Sequence, residues 1–318
     1  MQATRAQRIL IQAALTIVLL ACATIAPIAT PTPVGTSTPL PPSQTPTITP
    51  TSPPTITPTP SYAVKLGKVI KILSGGFSFS SLVDYKLESD NGGAYLESKD
   101  GKVTVYMGAD APLRGYSLAR VVTEILDSLT KEFKDFKGGD RITVTQGDVE
   151  SISVEFTATE KNKPIHGRFT LYGPPGSKQL YLIVIARGDQ RWEREGQKVF
   201  DKIRSSIAFF PIVALEDCPV TRNPDYGTRT SRPIKVGGGL ATGIQRSRDY
   251  LYALLGPKGE PIYFYREGSV ESNGVTLDEY HLIWGISTII LYIDIYNYEE
   301  LRAPTNLTCS VPFPTAPR

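Results

Sequence analysis

Apolar positions spaced as strands and helices begin only after residue 62, and from there they fall into two successive runs. In the first run, short stretches bounded by turn residues predict strands over 76–80, 85–89, 93–98 and 102–107, the last following an Asp100-Gly101 hairpin turn. Leu118, Val121, Val122, Ile125, Leu126, Leu129 and Phe133 then recur at helical spacing, with Glu124, Lys131 and Glu132 turned away from them. This predicts an amphipathic helix, ended by Gly138-Gly139. Further strands are predicted over 141–145, 150–157, 167–172 and 180–186. Within them Ile152, Val154 and Phe156 alternate with Ser151, Ser153 and Glu155, as a sheet packed on one face requires. A second helix presents Trp192, Val199, Phe200, Ile203 and Ile207, and Phe209-Phe210 close this first domain, 62–211, as a last short strand.

The second run predicts a smaller domain over 214–312. It opens with Cys218-Pro219 and the turn-rich Asn223-Pro224-Asp225-Tyr226-Gly227, followed by a strand over 233–236 and the loop Gly237-Gly238-Gly239. A helix over 243–255 has Tyr250, Leu251, Leu254 and Leu255 as its apolar face, and strands follow over 261–266, 276–284 and 287–296. One helix on a small antiparallel sheet is the economical architecture. Both domains therefore read as α+β, each an antiparallel sheet with flanking helices.

Upstream the pattern is different in kind. Residues 23–61 are almost entirely Thr, Pro, Ser and small apolar residues, with twelve prolines from Pro27 to Pro60 and no charge between Arg8 and Lys65. Such a stretch buries no core and favours extended polyproline II, so it predicts a stalk reaching up to about 100 Å at roughly 3.1 Å per residue. Before it, Arg5 and Arg8 precede an apolar run over 9–20 and then Ala21 and Cys22, the order of a secretory signal. Leu19-Leu20-Ala21-Cys22 resembles the lipobox of bacterial lipoproteins. The resemblance covers residues 1–22 and implies that the Cys22 thiol carries diacylglycerol as the mature N-terminus. The competing reading is an uncleaved anchor helix over 9–29, against which Gln12, Thr16 and Pro27 count. Both readings place the rest of the chain outside the cytoplasm, at the cell membrane.

Cysteine usage follows from that address. Of three cysteines, Cys22 is assigned to lipid, which leaves Cys218 and Cys309 as one pair in an oxidising compartment. They are expected to form a disulfide bracketing the second domain; two separate thiols are the alternative. No second Cys or His stands at ligand spacing near either one, so no zinc or other metal is expected. The formal charge of +3 includes Arg5 and Arg8, and no dense Lys/Arg run occurs, which argues against nucleic acid as a partner.

The order of elements in the first domain resembles PsbP-like and DcrB-like extracytoplasmic domains. Gly75-Gly76-Phe77-Ser78-Phe79 at its start, Trp192, and the Phe200-Asp201-Lys202-Ile203 to Ser206-Ile207 run at its close carry the likeness. The resemblance implies an antiparallel sheet flanked by helices and a non-enzymatic role in supporting or docking to an envelope assembly. It assigns no site residue and no cofactor. The Pro-Ile-Lys-Val-Gly-Gly and Leu-Leu-Gly-Pro-Lys-Gly-Glu-Pro-Ile runs of the second domain resemble only uncharacterised bacterial surface proteins.

Candidate chemistry is sparse. Gly115-Tyr116-Ser117-Leu118-Ala119 is a lax version of a nucleophile elbow, but a serine opening an amphipathic helix reads better as an N-cap. His166 and His281 are the only histidines, and they fall in different domains. Gly237-Gly238-Gly239 lacks the spacing of a phosphate loop, Asp90-Asn91-Gly92-Gly93 lacks the further ligands of a calcium loop, and Asp278-Glu279 and Glu299-Glu300 are adjacent and so point apart on strands. One pattern suggests binding. Ile289, Leu291, Ile293 and Ile295 share one strand face, Tyr292, Asp294 and Tyr296 the other, and Tyr263 and Tyr265 alternate alike nearby. Tyrosines with a carboxylate among them suit a glycan platform or protein interface, unless the helix or the first domain covers them. The expected function is a membrane-anchored, non-enzymatic binding or assembly-supporting lipoprotein, partnered by an envelope protein complex or cell-wall glycan. The alternatives are a wall-binding module using Tyr263, Tyr265, Tyr292, Asp294 and Tyr296, and a serine hydrolase centred on Ser117.

Overall fold

A computed structural model describes residues 63–112, 115–188 and 190–317; Cys22, the lipobox and the Thr/Pro-rich 23–61 stretch lie outside them. Strands β1 (Leu66–Ile72), β2 (Phe77–Leu82) and β10 (Ala208–Phe209) form a small antiparallel sheet in the order β1-β2-β10. A seven-stranded sheet is built from β3 (Tyr85–Ser89), β4 (Gly93–Ser98), β5 (Val103–Asp110), β6 (Lys134–Gln146), β7 (Val149–Glu160), β8 (Lys163–Gly173) and β9 (Gln179–Arg187), in the order β3-β4-β5-β9-β8-β7-β6. Helix α1 (Leu118–Glu132) covers one face of the large sheet, and α2 (Gln197–Ser206) with the small sheet covers the other. Strand β9 lies at the middle of this sandwich and reads as a nearly unbroken apolar run because both of its faces are covered. Leu180, Leu182, Val184 and Ala186 enter the α2 core, while Tyr181, Ile183 and Ile185 enter the α1 core.

The predicted helix faces are the ones that are buried. Leu118, Val122, Ile125 and Leu129 of α1 are in the core, and Ser117 Oγ accepts from the Arg120 N–H at 3.2 Å as an N-cap. Trp192 begins a π turn, Trp192–Gly196, that leads into α2, whose Val199, Phe200 and Ile203 are buried. Gly138-Gly139, by contrast, does not end α1. Phe133 ends it, in extended conformation with its N–H on Leu129 O, and the glycine pair lies inside β6, where register shifts mark bulges against β7. A paired glycine absorbs such a bulge on an edge strand as readily as it stops a helix.

The C-terminal unit carries a four-stranded sheet ordered β11 (Ile234–Lys235), β15 (Ser287–Asp294), β14 (Val275–Trp284), β13 (Tyr263–Ser272). It is mixed and not wholly antiparallel, because β11 runs parallel to β15. The chain leaves β11 through the crossover helix α3 (Gly239–Ala253), which delivers it to the sheet in the same direction. Tyr250, Leu251 and Leu254 pack with Leu282, Leu291 and Ile293 beneath α3. The helix starts four residues before the expected position, since Gly237, Gly238 and Gly239 all take left-handed φ values and turn the chain directly into it. A two-stranded ladder, β12 (Leu254–Leu255) with β16 (Thr308–Cys309), holds the C-terminal segment, and Cys218 is bonded to Cys309 with an S–S distance of 2.04 Å. The architecture is a sheet-rich α+β one. No helix among the described residues is long and apolar enough to cross a membrane.

Candidate functional site

The tip of the β3–β4 hairpin joins the two units. Asp90 Oδ1 accepts the N–H groups of Gly92 and Gly93, both at 2.8 Å, and this local turn aims the tip at α3. There Asn91 Nδ2 donates to Asp249 O at 3.2 Å, and Gln245 Nε2 donates to both Asp90 Oδ2 at 3.0 Å and Asp249 Oδ1 at 3.2 Å. Glycine is required at position 92, because a Cβ would stand 2.3 Å from the Tyr252 ring. The Asp90-Asn91-Gly92-Gly93 turn is thus a contact between units, and no group of potential metal ligands occurs among the described residues.

Beneath this contact lies a buried polar cluster. Tyr252 OH donates to Asp110 Oδ1 at 3.3 Å, and Lys178 Nζ, only 2 % exposed, donates to Tyr252 O at 3.4 Å. Lys178 also stands 5.4 Å from the centre of the Tyr252 ring, and Arg248 stands 5.8 Å from it. Burial pushes the Asp110 carboxyl above its ordinary range, with Lys178 and Arg248 opposing the shift. Burial pushes Lys178 down to about 8, against the pull of Asp110. Burial together with Asp110 holds the Tyr252 and Tyr181 hydroxyls protonated far above neutral pH. The cluster fixes the spacing of the units.

Above it opens a cleft of about 690 Å³. One wall carries Tyr95 and Tyr106, directly paired across β4 and β5 and therefore side by side on one face. The other wall is the outer side of α3, where Leu240 is 79 % and Ile244 51 % exposed, and Pro312 and Pro314 form the rim. Three of the charged residues that line the cleft are engaged within the protein. Arg246 donates through Nε to Val236 O and through a terminal nitrogen to Thr315 O, both at 2.6 Å, while Asp90 and Asp249 hold the contacts described above.

The five tyrosine-face residues are divided among different surroundings. Tyr263 is 6 % exposed at the junction, and burial first, then Asp110, drives its hydroxyl pKa upward. Asp294 is 2 % exposed and caps the strand end, accepting from Tyr296 N at 2.8 Å, Asn297 N at 3.0 Å and Asn297 Nδ2 at 2.7 Å. Tyr296 lies past the strand on the surface. Tyr265 stacks on His281 at 5.1 Å, and Tyr292 stands opposite Glu279, which bonds His281 at 3.1 Å. His166 is held between Glu155, at 2.8 Å, and the Trp192 ring, 4.9 Å away. Ser117 and the two histidines are thus each engaged elsewhere. Sequence reasoning missed Asp110, Lys178, Tyr252 and Gln245, which carry no local signal. Leu240 and Ile244 did carry one: they are an apolar i, i+4 pair off the Tyr250-Leu251 face.

No family model and no curated protein matches the chain. Among solved structures, cyanobacterial PsbP (CyanoP) from Synechocystis sp. PCC 6803 is similar at 9% identity and a TM-score of 0.38, over 49% of this chain and 99% of that one. LpqN of Mycobacterium tuberculosis, involved in cell envelope biogenesis, is similar at 14% identity and 0.33, over 46% and 86%. A crystal structure from Bacteroides thetaiotaomicron VPI-5482 covers 72% of this chain and 87% of that one, at 10% identity and 0.34. At these identities and scores the likenesses say nothing of what this chain binds.

Proposed function

We propose that this chain is an extracytoplasmic, membrane-anchored module that works by binding, and that its working surface is the cleft between the two domains. The observation that carries the proposal is the exposure of Leu240 and Ile244 inside a concave surface faced by Tyr95 and Tyr106. A large apolar pair left open in a cleft costs solubility without adding to the core, and it is the arrangement that ligand grooves share. The buried Asp110, Lys178 and Tyr252 contacts hold the walls in place, so the cleft is formed before any ligand arrives. Catalysis has no comparable support, since Ser117 Oγ serves as a helix cap. The signal and lipobox reading sets the cleft on the outer side of the membrane.

The test is a photo-crosslinking amino acid in place of Leu240, irradiated in intact cells, with the same probe at Ile286, a hairpin-loop residue 84 % exposed, as control. Adducts at 240 and none at 286 are expected. Equal labelling at both positions refutes the cleft as a binding surface.

A second reading keeps part of the tyrosine face. Tyr265 and His281 stack on the side of β13–β15 away from α3, beside Tyr292 and Glu279, and a flat row with a carboxylate suits a sugar ring. Loss of wall-glycan retention in Tyr292→Ser, with the fold intact, is the outcome this reading expects; undiminished retention rejects it.

A further inference from the structure

We infer that the outer face of the small sheet β1-β2-β10 is a contact surface separate from the cleft, and that its partner is an anionic lipid surface. Register divides the two faces of this sheet. Ile70 pairs with Phe79 and Ile72 with Phe77, and these four side chains belong to or pack against the α2 core. Val69 and Lys71, opposite Ser80 and Ser78, therefore stand on the other face. That face is open to solvent. Val69 is 62 % exposed, Leu73, which opens the turn Leu73–Gly75 after β1, is 54 % exposed, and Lys71 and Ala208, the latter opposite Ser78, are exposed as well. A bulge between Leu66 and Val69 breaks the alternation, so that Leu66, Gly67 and Lys68 are all exposed too.

The charge of this segment has one sign. From Ala63 to Val83 there are three lysines, Lys65, Lys68 and Lys71, all exposed, and no acidic residue. Asp84, the first acid after them, is bonded to Lys99 at 2.6 Å and lies within electrostatic reach of Lys65.

The mixture of side chains selects the partner. A second copy paired along the free edge of β1 would set lysines against lysines, and lysines on an edge strand oppose such pairing. Edge protection leaves the exposed Val69 and Leu73 unexplained. Protein interfaces are depleted in lysine and draw on aromatic residues and arginine, none of which occurs among Val69, Lys71, Leu73, Ser78, Ser80 and Ala208. A hydrated polyanion would engage the lysines and leave the aliphatic side chains in water. An anionic bilayer takes both, with ammonium groups among the headgroups and the lysine stems and aliphatic side chains at the acyl boundary. Three lysines near such a surface raise partitioning on the order of a hundredfold over a neutral one.

The experiment adds the purified full chain, with an environment-sensitive fluorescent amino acid in place of Val69, to vesicles of equal parts phosphatidylglycerol and phosphatidylcholine and to vesicles of phosphatidylcholine alone. The same probe at Ile286, in the loop between β14 and β15, is the control. A blue shift at 69 and none at 286 is expected with the anionic vesicles. The ratio of lipid-contacting to free probe should exceed that on phosphatidylcholine on the order of a hundredfold, and molar salt should reverse it. Lys65→Gln, Lys68→Gln and Lys71→Gln together should abolish the preference for anionic lipid with the near-ultraviolet circular dichroism unchanged; if that variant fails to fold, the salt titration of the parent decides. No shift at 69, an equal shift on both lipids, or an equal shift at 286 overturns the inference. A shift that grows with protein concentration without vesicles assigns the face to a second copy and overturns it, as does a shift on purified cell wall that anionic vesicles do not produce. Adducts at position 240 test the cleft separately, so either reading can fall alone.

Discussion

Replacing Lys178 by Met should flatten one limb of the stability–pH profile. Lys178 is almost fully buried, and its ammonium has the Tyr252 carbonyl at 3.4 Å, the Tyr252 ring at 5.4 Å and the nearby Asp110 in place of water. Burial lowers its pKa from 10.5 to about 8. The unfolded chain keeps this proton up to 10.5 while the folded chain releases it near 8, so across that window the unfolded state binds more protons and stability rises with pH. Below 8 the folded state bears the full cost, which for a shift of this size is roughly 3 kcal/mol at about 1.4 kcal/mol per unit. Met keeps the stem and removes the charge. The parent-minus-variant difference in unfolding free energy should therefore climb by about 3 kcal/mol between pH 7.5 and 10.5. The lost bond to Tyr252 adds a constant offset. Urea unfolding followed by Trp192 and Trp284 fluorescence at half-unit pH steps measures the difference. A difference that stays flat within about 1 kcal/mol over the window would refute the account of a desolvated ammonium at the junction.

The disulfide closes a separation of 91 residues, so Cys218→Ser with Cys309→Ser should lower the stability of the C-terminal unit by about 4 to 5 kcal/mol in the chain-entropy model. Hydrogen exchange should show β14 and β15 losing protection while β4 and β5 keep theirs; equal loss in both sheets contradicts this. Tyr263→Ala should cost about 3 kcal/mol or more as a buried aromatic truncation, whereas Tyr296→Ser should stay within about 0.5 kcal/mol. Urea midpoints of the two variants decide it, and a mild Tyr263→Ala would mean the junction is open in solution. If the lipobox is processed, Cys22→Ser should abolish metabolic labelling by palmitate and leave an unprocessed precursor. Persistent labelling excludes Cys22 as the attachment site.

Local pattern carried the elements, and long-range assembly carried the site. The alternation of Ile152, Val154 and Phe156, the stripe of α1 and the strands over 85–89 and 93–98 were legible because periodicity records which side of an element meets apolar surroundings. The Cys218–Cys309 pairing was legible because, once Cys22 was assigned to lipid, only one pair remained. Periodicity does not record what an element packs against. The bulge at Gly138-Gly139 and the parallel pairing of β11 on β15 depend on neighbours distant along the chain, and local composition favours a helix stop and a hairpin. Tyr263 and Asp294 shared a face with exposed tyrosines on paper, yet one is covered by the sandwich and the other turns back to cap its own strand. Lys178, Asp110 and Tyr252 come from positions as far as 142 residues apart. A buried lysine or aspartate is unfavourable in every local context, so no window of sequence announces it; only the assembled junction, where each partner offsets the desolvation of the others, makes the arrangement stable.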